Sequence, residues 1–158
     1  MLENKLFFLR EYNDLTQQDM ADILGIRQQT FSDFETGKRI IPLKHLVNIC
    51  KYFNVSLDYL CGVSKMRKSF AKDFTIDKKV VGKRIIMMRK YLNINQKELA
   101  RILNTTPSTV CAYEKGETLI LTSFCLQLAR NYGISIDFIV GASKDFIADA
   151  SNQMKVFS

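Results

Sequence analysis

The chain has 158 residues, with 23 Lys and Arg against 16 Asp and Glu, a net charge of +7. A 47% hydrophobic and 25% charged composition is that of a globular protein and excludes wholesale disorder; the length suits one ordinary domain or two small ones. Seven Gly and 2 Pro are too few for the many turns of a sandwich, and no apolar run approaches the roughly 18–20 residues of a bilayer span.

The predicted elements come twice. Sliding the sequence by 79 residues pairs Lys5 with Arg84 and Ser64 with Ser143 without a gap, with 14 identities in 60 pairs. The first helix covers about Glu3–Tyr12, with Leu6, Leu9 and Arg10 near its inner edge; its counterpart covers Lys78–Tyr91. The second opens on a capping box, Thr16 with Asp19, repeated as Asn95 with Glu98. Met20, Ile23 and Leu24 follow as its buried stripe. Gly25 and Asn104 tolerate the turn that ends it. The third helix runs about Gln28–Glu35, with Phe31 and Phe34 inward, as are Val110 and Tyr113 in the second copy. The fourth starts at Pro42 and buries Leu43, Leu46, Val47, Cys50 and Phe53. Ser56 caps a short fifth helix, Leu57–Cys61, stopped by Gly62.

These elements divide the chain into residues 1–64, a basic linker 65–79, residues 80–143 and a tail 144–158. The linker carries six basic and two acidic residues. Met66, Phe70 and Phe74 are spaced for a partly helical, docked segment. Phe146, Ala150 and Met154 repeat that spacing in the tail, which is either a docked helix or a frayed end. Cys50, Cys61, Cys111 and Cys125 include no C-x-x-C pair, and His45 is the single histidine. No metal and no cofactor are therefore expected. Cys50, Cys61 and Cys125 read as core. Met1-Leu2-Glu3-Asn4 lacks the basic start of a secretory leader, so free thiols in the cytoplasm are the expectation.

Gln17-x-x-Met20-Ala21-x-x-Leu24-Gly25-Ile26, followed by Thr30-Phe31-Ser32-x-Phe34-Glu35-x-Gly37-Lys38-Arg39, resembles the phage-repressor/Cro-type (xenobiotic-response-element) helix-turn-helix family. Gln96-x-x-Leu99-Ala100-x-x-Leu103 and Ser108-Thr109-Val110-Cys111-x-Tyr113-Glu114-x-Gly116 repeat the pattern. The resemblance implies an all-α fold: two tandem five-helix lambda-repressor-like domains. It also implies a sequence-specific transcriptional regulator of double-stranded DNA, a repressor, from a bacterium or phage.

A small Ala21 lets the third helix cross the second closely and project into a major groove about 12 Å wide. Its outward positions, Gln28, Gln29, Ser32 and Asp33, are the candidate base readers. Gln pairs bidentately with adenine, and Asp accepts from cytosine. Gln17, Arg27, Lys38, Arg39 and Lys44 are the candidate phosphate contacts. Glu35 and Glu114 read as structural, capping or buried polar partners, because acids repel phosphate. The second copy is weaker at this face. Gln96, Thr106, Ser108 and Cys111 are its DNA candidates, but Pro107 and Ala112 stand among them, and Glu117-Thr118 replaces Lys38-Arg39. Residues 1–64 carry 7 basic and 8 acidic groups. Non-specific affinity is thus expected from the linker and from Lys78, Lys79, Lys83 and Arg84. The alternative is an antitoxin or interaction module, in which the second copy or the tail binds a protein or a second chain. Neither a phosphate-cradling Gly loop nor a nucleophile–base constellation is present, so an enzyme is not expected, and neither is a membrane partner.

Overall fold

The computed structural model describes residues 2–149, Glu3 and Asn4 by their backbone alone. Ten helices and no extended strand occur among the described residues. The chain divides into two compact units, with the boundary after Asp73.

The first unit holds α1 (Leu2–Tyr12), α2 (Gln17–Leu24), α3 (Gln28–Glu35), α4 (Leu43–Phe53) and α5 (Leu57–Leu60). The cap of α2 is reciprocal. Thr16 Oγ1 accepts from the Asp19 N–H at 3.0 Å, and Asp19 Oδ2 accepts from the Thr16 N–H at 2.8 Å. Gly25 ends α2 at φ +66°, where a Cβ would be strained. Leu6, Leu9, Met20, Ala21, Phe31, Leu46, Ile49, Leu57 and Leu60 fill the core. Ile23, expected on the buried stripe of α2, is exposed. The buried arc instead runs from Met20 through Leu24 to Ala21, which turns Ile23 away. Pro42 stands one residue earlier than expected, as the N-cap of α4.

The second unit repeats the plan with α6 (Lys78–Tyr91), α7 (Gln96–Ile102), α8 (Pro107–Glu114), α9 (Thr122–Tyr132) and α10 (Ile136–Val140). Asn95 and Glu98 form the second capping box, and Asn104 takes the left-handed turn at φ +54°. Leu99, Val110, Cys125, Leu128 and Ile139 are its core.

Two segments differ from expectation. Residues 65–77 contain no helix. In a helix the Phe70 N–H would bond the Met66 carbonyl; here it donates to Asn54 Oδ1 at 2.9 Å. Phe70 is buried but Met66 is exposed, so the apolar spacing is not used as a helical stripe. Arg67 further ties this stretch to the first unit, donating to the Phe53 carbonyl at 3.3 Å. Lys144–Asp149, in turn, forms no helix and returns through bends and turns with one isolated bridge. Ile134 and Ile147 form an antiparallel bridge. The Ser135 N–H donates to the Phe146 carbonyl at 2.9 Å, and the Ala148 N–H to the Gly133 carbonyl at 3.1 Å. Ala150 and Met154 lie outside the described residues.

Candidate nucleic-acid interface

α3 lies across α2 over Ala21, which is fully buried. Phe31 and Phe34 anchor its inner face at 0% and 3% exposure. This leaves Gln28 and Gln29 exposed and Ser32 and Asp33 half-buried on the outer face. Gln29 Nε2 donates to Asp33 Oδ1 at 3.0 Å, one turn away. That bond orients the Gln29 amide and occupies one acceptor site of Asp33.

Beneath α3 lies a buried ion pair. Arg10 Nε and Nη2 donate to Glu35 Oε2 and Oε1 at 2.7 and 2.8 Å. Arg10 Nη1 donates to the Leu15 carbonyl at 2.8 Å. Both side chains are under 10% exposed, where a bidentate pair is stable only if its remaining polar atoms are satisfied. Gln17 Nε2 completes Glu35, donating to Oε1 at 3.2 Å. Gln28 Nε2 then donates to Gln17 Oε1 at 2.8 Å. The order of donors is forced. An ionised carboxylate only accepts, so Gln17 turns its NH2 inward and its carbonyl toward Gln28. Gln28 therefore keeps one N–H and its own carbonyl oxygen for an external partner.

The second unit builds the same foundation and stops short of the surface. Arg89 Nε donates to Glu114 Oε1 at 2.6 Å, and Arg89 Nη1 to the Ile94 carbonyl at 3.2 Å. Gln96 Nε2 donates to Glu114 Oε2 at 2.6 Å. The position of Gln28 is held by Pro107, which has no donor to continue the chain. Thr106 Oγ1 accepts the Thr109 N–H and shares a hydrogen bond with the Thr109 hydroxyl, so it is a cap. Ser108 is exposed and Cys111 half-buried.

Around α3 the cations are exposed: Arg27, Lys38, Arg39 and Lys44. Arg27 occupies the N-cap of α3 with no side-chain cap bond. The Arg39 guanidinium lies 6.0 Å from the Phe34 ring centre, and Lys44 projects from the first turn of α4. Arg84, expected among the free cations, is a structural staple. Its Nη1 donates to the Phe138 and Ser143 carbonyls at 3.0 and 2.7 Å, and the guanidinium covers the Phe138 ring.

Residue types alone placed Glu35 and Glu114 inside but left out their partners. The signal was there: Arg10/Arg89, Gln17/Gln96 and Glu35/Glu114 are three of the identities between the copies. His45, the single histidine, lies on α4. It is half-buried beside Phe34, ring centres 6.0 Å apart, and its Nδ1 is buried without a hydrogen bond. Burial, and then the charge of Lys44, hold its pKa below the usual histidine value. Cys125 is fully enclosed, its thiol pushed up to about 12. Among the described residues no group of His, Cys, Asp or Glu is arranged to hold a metal ion, and no helix is long and apolar enough to cross a membrane.

Two helix pairs, each with an outward-facing second helix on an Arg–Glu foundation, buried in the first unit and part-buried in the second, define a tandem helix-turn-helix protein. The helix-turn-helix family model matches residues 8–60 and again 85–139. The chain belongs to this family, of the phage-repressor/Cro type, whose members are DNA-binding transcription regulators. It is 40% identical over 70 residues to an uncharacterized HTH-type transcriptional regulator, YqaE of Bacillus subtilis, covering 44% of this chain and 60% of that one. It is 35% identical to the antitoxin PezA of Streptococcus pneumoniae, over 42% of each chain. It is 31% identical to the cryptic phage CTXphi transcriptional repressor RstR of Vibrio cholerae, over 39% of this chain and 54% of that one. The chain thus spans 60% or less of the length of these relatives. No solved structure matches it.

Proposed function

We propose that the protein is a cytoplasmic repressor that binds double-stranded DNA sequence-specifically and reads bases mainly through α3 of the first unit. The relay from Glu35 through Gln17 to Gln28 carries this reading. It leaves Gln28 with one donor and one acceptor, the pair that matches adenine N7 and N6. Gln29, Ser32 and Asp33 complete the reading face. Arg27, Lys38, Arg39 and Lys44, with the remaining N–H of Gln17, fix the register on the phosphates. Repression then follows from occupancy of a promoter and needs neither cofactor nor catalysis.

A second reading has its own support. The resemblance to an antitoxin, and a second unit whose α8 carries Pro107 where the first has Gln28, favour a role for that unit in binding a protein or a second chain.

The test is selection of binding sites from random duplex DNA by the whole chain at about 150 mM salt. A preferred site that weakens when Gln28 or Gln29 is replaced supports the first reading. Folded protein that enriches no sequence supports the second.

A further inference from the structure

α6 opens one helical turn before the counterpart of Leu2. α6 has 14 residues and α1 has 11. In the 79-residue register Leu2, where α1 begins, falls on Val81. Lys78, Lys79 and Val80 form this opening turn.

This turn is packed in place. Asp77 caps it, its Oδ1 accepting the Lys79 N–H at 2.8 Å. A Cβ on Gly141 would lie 2.7 Å from Val80 Cγ1, and a Cβ on Gly116 would lie 2.9 Å from Lys79 Cα. One turn further on, a Cβ on Gly82 would lie 2.6 Å from the Tyr113 and Glu114 carbonyl oxygens. The start of α6 is thus pressed against the end of α8 and the Gly116 turn.

That location matters because Gly116 is the counterpart of Gly37. After Gly37 the first unit places Lys38 and Arg39; after Gly116 the second places Glu117 and Thr118. The opening turn of α6 brings positive charge to the same end of the helix by another route. Lys78, Lys79, Lys83 and Lys115 are all exposed, and no ion pair involves them among the described residues. The Asp77 carboxylate is engaged in the cap and Glu114 is held by Arg89 and Gln96; Glu117 is the next acid in sequence. One cation would suffice to complement the negative end of α8; four exceed that need. A surface of lysines beside a helix with few base-reading side chains suits a partner of repeating phosphates, recognised by charge rather than sequence.

We propose that Lys78, Lys79, Lys83 and Lys115 form a backbone-phosphate contact, through which the second unit holds duplex DNA without reading it. This rests on the DNA-binding reading above and assigns the second unit its part in it.

The experiment compares the full chain with a Lys78→Gln, Lys79→Gln, Lys83→Gln variant, which keeps the aliphatic stems. Affinity for the selected site is titrated from 50 to 200 mM salt. Lys90→Gln, Lys97→Gln, Arg101→Gln, which removes equal charge elsewhere on the same unit, is the control. The first variant should lower the salt slope by about 2.7, so its fourfold salt sensitivity shrinks by roughly 40-fold, with the preferred sequence unchanged. An unaltered slope, or an equal change in the control, overturns the proposal. If the triple variant does not fold, Lys83→Gln alone must lower the slope by about 0.9, and no change overturns it. Wild-type protein that binds all duplexes alike, and loses slope in the variant, keeps the phosphate surface and removes the sequence-specific reading. Wild-type protein that binds no duplex removes both.

Discussion

Gln28 and Gln29 stand on the same turn of α3 but are held by different partners. Gln28 is held by Gln17 and Gln29 by Asp33. Replacing either with Ala should cost about 1–3 kcal/mol on the preferred site and relax specificity at one base pair. Titration against a panel of single-base variants measures both effects. An unchanged ranking of sites would remove that residue from the reading face. Glu35 acts from beneath. Glu35→Ala removes the buried partner of Arg10 and leaves it the exposed Glu11 at 2.9 Å, so it should destabilise the first unit by about 1–3 kcal/mol, read by urea denaturation. His45 gives a pH dependence whose sign follows from its burial. Its folded pKa lies below the ordinary 6.5, so its contribution is present above that value and is lost as pH falls through the folded pKa. The urea midpoint should therefore drop between about pH 7 and pH 5. In the second copy this position is Phe124, which faces Tyr113 as His45 faces Phe34. His45→Phe should flatten the dependence, and an equally steep decline in the variant would assign it to another group.

Helix pairs are set by how closely backbones approach. α2 and α3 meet over Ala21 in the first unit, and α6 and α8 meet over Gly82 in the second. At Gly82 there is no room even for a methyl group, because two backbone carbonyls stand 2.6 Å from its Cβ position. Gly82→Ala must part α6 from α8 and should destabilise the second unit by about 1–3 kcal/mol. Thermal denaturation checks this, and a wild-type melting temperature would mean the contact is looser than described. The capping boxes at Thr16 and Asn95 were legible because their spacing is local. The segments at 65–77 and 144–149 were not. Their apolar spacing of four is that of a helix, but the competing partners, Asn54 for Phe70 and Gly133 for Ala148, are distant in sequence. A side-chain acceptor or an isolated backbone bridge that satisfies a backbone N–H removes the reason to coil.

Across the whole chain, duplication has kept the foundation and let the surface diverge. Both units retain the Arg–Glu–Gln set, which holds the third helix to the first two. Only the first extends it to an exposed amide. Pro107→Gln would restore the missing link to Gln96. On the reading proposed here it should leave the preferred sequence nearly unchanged, because Ser108, Cys111 and Ala112 still offer no bidentate partner. A large shift in the selected site would show that the second unit reads bases after all. Charge is divided in the opposite sense. Residues 1–64 are net negative, with 7 basic and 8 acidic groups, while residues 81–143 carry 8 and 4. On the reading proposed here, the unit that reads bases has the weaker attraction for phosphate, and affinity and specificity fall to different halves.

The sequence by itself determined the duplication, the five-helix plan of each copy, the caps, the inward aromatics and the outward face of α3. All of these follow from local periodicity, or from a repeat visible at one fixed offset. Only the tertiary structure decided that Arg10 lies on Glu35, that Gln17 fixes the polarity of Gln28, and that Arg84 is a staple rather than a free cation. It also decided that Lys79 rests on Gly116. Those contacts join residues 11 to 59 positions apart. Such pairing depends on how the helices cross, and no spacing within one helix encodes it.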